Sequence, residues 1–147
     1  MTKMSDPITL KQNLEEILEE TLGEGEYKII EKARNFLDMG MPGKTEDIKV
    51  FNFLTHANKH EADLAALRYA VGNAYNMKWH AKEEHGAEVW DDLKSEGYSI
   101  TEVKPRMWSD KRYVDLSTST EKYKLLLDYL DHLVWQLKGI IKLYEKN

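Results

Sequence analysis

Apolar residues recur at three- and four-residue steps through most of this chain, in stretches punctuated by glycine and proline. Leu10, Leu14, Ile17, Leu18 and Leu22 follow Thr9, a residue suited to accept a backbone N–H at a helix start, and the stripe stops at Gly23. After Gly25, the residues Tyr27, Ile30, Ala33, Phe36 and Leu37 predict a second, shorter helix, ended by Gly40-Met41-Pro42-Gly43. From Asp47 to about Glu84 no proline intervenes. There Phe53, Ala57, His60, Leu64, Leu67, Val71, Ala74 and Ala81 keep a four-three rhythm in which Lys78 fills the gap, predicting one helix roughly 55 Å long.

Beyond this helix, Gly86 is the expected stop. Val89, Trp90 and Leu93 predict a short helix ending near Gly97. Residues 98–116 show no sustained helical period: Tyr98, Ile100 and Glu102 alternate as a short strand would, and Pro105 argues against regular helix beside it. The run Ser117-Thr118-Ser119-Thr120 offers caps for a last helix, in which Tyr123, Leu127, Leu130, Val134, Leu137, Ile141 and Tyr144 keep four-three spacing while Leu126, Leu133 and Ile140 widen the stripe. A stripe that wide implies several neighbours, within one bundle or across subunits. The expected fold is an all-α helical bundle: a long central helix, a long C-terminal helix and an irregular loop between them. Length favours a single domain over residues 1–147, with residues 1–40 as an N-terminal helical hairpin and 47–147 as the core.

Composition narrows the function classes. Hydrophobic residues at 41% with charged residues at 32% fit a globular chain, and no apolar run reaches the ~20 residues of a bilayer span. No signal-peptide core follows Met1–Ser5, so a cytoplasmic protein without a membrane partner is expected, in the host cytoplasm if a phage encodes it. The absence of cysteine removes disulfides, thiolate catalysis and cysteine-held zinc. Net charge is -5 but uneven: residues 1–50 carry 7 Lys and Arg against 11 Asp and Glu, whereas residues 51–82 set Lys59, Arg68, Lys78 and Lys82 against Glu61 and Asp63.

Candidate chemistry is sparse. Gly43-Lys44-Thr45 resembles the end of a phosphate-binding loop, but the first glycine of that motif should fall where Asp38 stands, and helix replaces the strand it needs. His56 and His60 lie one turn apart, with Glu61, His80 and His85 nearby; zinc helices of this type place glutamate directly after the first histidine, where Ala57 stands, so solvated or seam histidines are the stronger reading. Glu83, Glu84, Glu88, Asp91 and Asp92 would suit a Mg²⁺-dependent nucleotide hydrolase, in which neutralising Glu84 and Asp92 would abolish turnover, yet a solvated helix face accounts for them. No catalytic centre, metal or cofactor is expected. The segment Lys104–Tyr113 holds four cations, one acid and two aromatics in ten residues, the mixture that follows phosphates and stacks bases; a surface loop with Trp108 tucked inward is the alternative.

Residues 56–142 resemble the UvsY family, the recombination mediators of large tailed bacteriophages. The likeness rests on Asn58-Lys59-His60, on Leu67-Arg68 running to Met77-Lys78 and Gly86, and on Ser109-Asp110-Lys111 running to Leu126-Leu127-Asp128-Tyr129 and Leu137-Lys138. The resemblance implies a protein of DNA recombination, repair and replication that is not an enzyme. It would bind single-stranded DNA as a ring-like homo-oligomer, loosen the single-strand-binding protein and load a RecA-like recombinase. Family members associate DNA contact with a basic Leu-Lys-Ala-Arg-Leu motif on the central helix, a position held here by Met77-Lys78-Trp79-His80-Ala81. Lys78 carries over; His80 replaces the family's arginine, exchanging a permanent cation for an imidazole. Lys82, one turn on, would restore charge, with Lys104, Arg106, Trp108, Lys111 and Arg112 adding to the surface. The family's self-assembly through its C-terminal helix implies Tyr123, Leu127, Leu130, Val134, Leu137 and Ile141 as contact positions. The first fifty residues match the family poorly. A helical adaptor or inhibitor that binds a protein through its C-terminal helix is the second expectation.

Overall fold

The computed structural model describes residues 12–145, which form five helices: α1 (Leu14–Thr21), α2 (Glu24–Leu37), α3 (Asp47–Ser95), α4 (Ile100–Met107) and α5 (Lys111–Glu145). The all-α class is as expected, and among the described residues there is no strand. None of these helices is long and apolar enough to cross a membrane. Thr9 and Leu10, the expected start of the first helix, lie outside the described residues.

Two helix starts, those of α2 and α4, share one device, and the turn before α3 repeats it. A glutamate three residues into the chain reaches back to an N–H that the helix itself leaves unpaired. Glu26 accepts from Gly23 N–H at 2.9 Å, Glu46 from Gly43 N–H at 3.0 Å, and Glu102 from Ser99 N–H at 3.1 Å and the Ser99 hydroxyl at 2.8 Å. Pairing Gly23 with Glu26 starts α2 at Glu24, ahead of its first apolar residue.

Contacts divide the chain into two compact units, one built from Leu14–Val71 and Leu126–Asn147, the other containing Gly72–Leu125. In the first unit, Ile17 and Leu18 of α1, Ile30, Ala33 and Phe36 of α2, and Phe53, Ala57, Leu64, Leu67 and Val71 of α3 are buried with Leu126, Leu130, Leu133, Leu137, Ile141 and Tyr144 of α5. Each such large side chain contributes about 1.5–3 kcal/mol. The α3 stripe to Val71 is the expected one. On α5 the buried line is turned: Leu126 and Leu133 are central, whereas Tyr123, Leu127 and Val134 are half-buried at its margin.

Polar contacts fix the antiparallel register of α3 and α5 in this unit. Arg68 pairs with Asp131, Glu61 with Lys138 at 4.0 Å, and the Phe53 and Tyr144 rings meet at 5.6 Å. Arg34 joins three helices, bonding the Glu15 carboxylate at 2.6 Å and donating to the Tyr129 hydroxyl. The Tyr144 hydroxyl donates to the Pro42 carbonyl at 2.7 Å, tying the α2–α3 connection to α5.

The second unit corrects three sequence expectations. Gly86 does not end α3. It lies buried inside a helix that continues through Val89, Trp90 and Leu93 to Ser95. The true stop is Gly97, whose φ of 97° suits a residue without Cβ, with Tyr98 N–H bonding Leu93 O at 3.3 Å and Gly97 N–H bonding Lys94 O at 3.1 Å. The expected irregular loop and strand over residues 98–116 are α4, a short turn and the start of α5. Pro105 is tolerated because it falls in the last turn of an eight-residue helix, where it removes one backbone bond to an exposed residue, Thr101. Residues 117–120 do not cap α5, which starts seven residues earlier than Thr118 at Lys111, with Val114 N–H bonded to Asp110 O at 3.0 Å. Thr118 and Thr120 instead turn their hydroxyls back to the carbonyls of Val114 and Leu116, and the buried Ser117 hydroxyl has no hydrogen-bond partner among the described residues.

Candidate nucleic-acid interface

All eight residues expected to contact nucleic acid fall in the unit containing Gly72–Leu125. Lys78, His80 and Lys82 are on α3, Lys104 and Arg106 on α4, Trp108 closes α4, and Lys111 and Arg112 open α5.

Tyr113 is the hub that brings some of them together. Trp108 meets its ring edge-on at 5.0 Å between centroids, and Lys82 Nζ stands 5.9 Å from the same ring. This approach depends on Gly86. A Cβ there would lie 2.9 Å from Tyr113 Cε1 and 3.5 Å from Met107 Cε, so the missing side chain lets Tyr113 close onto α3. Lys82, Gly86, Trp90, Met107 and Tyr113, with Glu83 and Ala87, line a hollow of about 210 Å³. His85 anchors the turn beside it, its Nε2 lying 2.9 and 3.0 Å from the Asp110 carboxylate oxygens.

A second pair forms on α4. The Arg106 guanidinium lies 3.9 Å over the Tyr98 ring, inside the range of a cation–π contact, and the capping Glu102 stands one turn away. Hydrogen bonds from the Ser99 hydroxyl and N–H hold the Glu102 carboxyl below its ordinary range, and Arg106 adds attraction.

The remaining residues are not gathered. Lys78 falls on the inward stripe of α3 and, like Lys82, is half-buried. His80 is exposed with its ring edge-on to Trp79 at 5.2 Å, Lys111 pairs with Asp115 at 3.8 Å, and Lys104 and Arg112 are exposed. The unit is not basic overall: residues 72–125 hold nine Lys and Arg against ten Asp and Glu, a net of -1, so attraction for phosphate is local. Glu83, Glu84, Glu88, Asp91 and Asp92 are exposed along α3, as a solvated face requires.

Tyr98, Trp90 and Gly86 belong to this site and were not among the expected residues. Tyr98 reaches Arg106 across a helix start, a relation without a fixed sequence spacing. Gly86 did carry a signal, one turn after Lys82, but a glycine after a long apolar stripe reads first as a stop.

On α5, Leu130, Leu137 and Ile141 of the expected self-association set are buried in the chain's own core. A different face is open. Trp135, 72% exposed, stacks near His132 at 6.3 Å, and with Gly139, Leu143, Leu37 and Arg34 it borders a groove of about 790 Å³. Among the described residues, no three His, Asp or Glu side chains converge to hold a metal ion; His60 packs on the Phe36 ring at 5.0 Å instead.

Comparison with known protein families, curated proteins and solved structures finds no match.

Proposed function

We propose that this chain is a recombination mediator that binds single-stranded DNA as a homo-oligomer and assembles a RecA-like recombinase on it in place of a single-strand-binding protein. The observation that carries the reading is the grouping of Lys82, Trp108 and Tyr113, with Arg106 on Tyr98 close in sequence, in one helical unit. Cations beside aromatic rings suit a strand whose phosphates and base faces alternate. The family resemblance of residues 56–142 adds the partners. No chemistry is required of the chain: repeated weak sites around an oligomer gain avidity along one strand.

Self-association through α5 needs apolar surface left over from the core. The face bearing Trp135 and Leu143 offers it, in place of Leu130, Leu137 and Ile141. The same face favours the second reading, an adaptor or inhibitor that holds a protein against α5.

Light scattering with and without labelled oligo-dT, at low and moderate salt, separates the two. The mediator reading expects an oligomer that moves onto the strand at low salt and leaves it as salt rises, since phosphate contacts release counterions. Trp108→Ala should weaken binding by about 5- to 160-fold, the loss of one stacked base. Lys78→Ala with Lys82→Ala should weaken it too. A monomer that ignores the strand at low salt, or a double variant that binds unchanged, would sink the reading.

A further inference from the structure

A groove of the Leu14–Val71 and Leu126–Asn147 unit is lined by none of the residues assigned to the strand. Its volume is about 810 Å³, and it runs between the end of α2, residues 38–46 and the first turns of α3. Phe36 and Phe53, stacked at 4.8 Å between centroids, form its floor, and Met39, Met41 and Pro42 form a wall. The shape is held from below, because Tyr144 bonds the Pro42 carbonyl and packs on Phe53. Met39 and Met41 are exposed, so the wall presents apolar surface to solvent.

The rim holds two lysines and two imidazoles against one carboxylate. Lys32, Lys49, His56 and His60 stand around it with Glu46 as the one acid of the lining. Glu46 is already engaged, capping Gly43 through one oxygen and pairing with Lys49 at 3.1 Å through the other. Burial holds His60 neutral by lowering its pKa; Asp63 opposes the shift and His56, Lys59 and Lys32 add to it. A positive rim around a methionine-lined apolar floor, in a chain of net charge -5, selects an acidic visitor with apolar anchors.

We propose that this groove docks an acidic amphipathic segment of a partner protein, its aromatic or aliphatic anchors between the Phe36 floor and the Met39–Met41 wall and its carboxylates on the Lys32 ammonium and the imidazole N–H groups of His56 and His60. The assignment rests on the mediator reading in one respect: a loader must hold a protein while it holds a strand, so the two sites should be separate. A nucleic-acid strand fits this groove poorly. Bases need open aromatic faces, and the rings of the floor, Phe36 and Phe53, are stacked on each other and buried.

The test uses the full chain with ¹³C-methyl methionine and a synthetic peptide in which Phe and Leu recur at i, i+3, i+4 and i+7 among Asp and Glu. The methyl signals of Met39 and Met41 should move on titration while those of Met77 and Met107 stay. A peptide with Lys in place of Asp and Glu should leave all four unmoved, and Lys32→Glu with His56→Glu should weaken the acidic peptide at least about tenfold. Oligo-dT binding by that double variant should be unchanged. The assignment is overturned if the acidic peptide moves none of these signals, or if the lysine peptide binds equally well. It is also overturned if oligo-dT moves Met39 and Met41, or if those signals move with protein concentration as the mass doubles, which would make a second copy the occupant. Failure of the strand with the peptide still bound would remove the mediator reading alone, and the reverse result would remove the docking groove alone.

Discussion

Glycine has opposite meanings at two helical positions of this chain, and the difference is measurable. Gly86 is buried against Tyr113 and Met107, where an added Cβ would come within 2.9 Å of a ring carbon; nothing lies within 4 Å of the equivalent point at Gly139. Alanine improves helix propensity at either site by about 1 kcal/mol. At Gly86 overpacking of about 1–3 kcal/mol opposes that gain, so Gly86→Ala should lower the urea midpoint and loosen Tyr113 from α3. Gly139→Ala should raise the midpoint, by up to about 1 kcal/mol. If both variants stabilise equally, Tyr113 does not close onto Gly86 as described.

Among the elements, α4 is the one the pattern of apolar residues could not announce. Val103 is its one buried position, too little for a periodic signal, and Pro105 argued for loop. Its start was nevertheless written in Ser99 and Glu102, a capping box three residues apart. Local chemistry outranked periodicity there. The reverse held at Gly86, where the four-three rhythm continued through His85 but the glycine was weighted as a stop. The long helices were legible because Phe53 to Val71 and Leu126 to Tyr144 repeat over many turns. The site was legible only as a composition: the cations and Trp108 of residues 104–113 could be seen in the sequence, whereas Tyr98 under Arg106 and Lys82 beside Tyr113 depend on how α4 folds back. Because Pro105 costs α4 a backbone bond, Pro105→Ala should stabilise the protein by about 1–3 kcal/mol, and amide exchange should slow in residues 101–107. An unchanged or lower denaturation midpoint would mean that α4 gains nothing from a regular last turn.

For the molecule as a whole, the lowered pKa values of His60, Glu15 and Glu102 act in one direction. His60, depressed by burial from its ordinary value of 6.5, is held neutral in the fold, so the unfolded chain takes up the proton first. Stability is full above pH 6.5 and falls as pH drops from there through the folded-state value. Glu15, depressed from 4.5 chiefly by its hydrogen bond from Arg34, and Glu102, depressed by Ser99, add stability that is present above pH 4.5 and lost below it. Urea midpoints should therefore decline in two steps on acidification. His60→Gln should flatten the upper step, and Glu15→Gln should reduce the lower one. A midpoint that rises between pH 6.5 and pH 5 would contradict the buried, neutral state of His60.

The division of the chain into units also orders events in time. The unit that contains α1, α2 and the first half of α3 draws the rest of its core from Leu126 onward, and Tyr144 closes on Pro42 across 102 positions. A ribosome adding about 5–20 residues per second would take roughly 4–14 seconds to pass from Val71 to Ile141. Through that interval the apolar stripe from Phe53 to Val71 has no complete α5 to lie against, while residues 72–125 emerge as a continuous run with their own internal contacts. Translation speed and chaperone occupancy over this window, more than the stability of the finished fold, would then set how much of the protein reaches its native state.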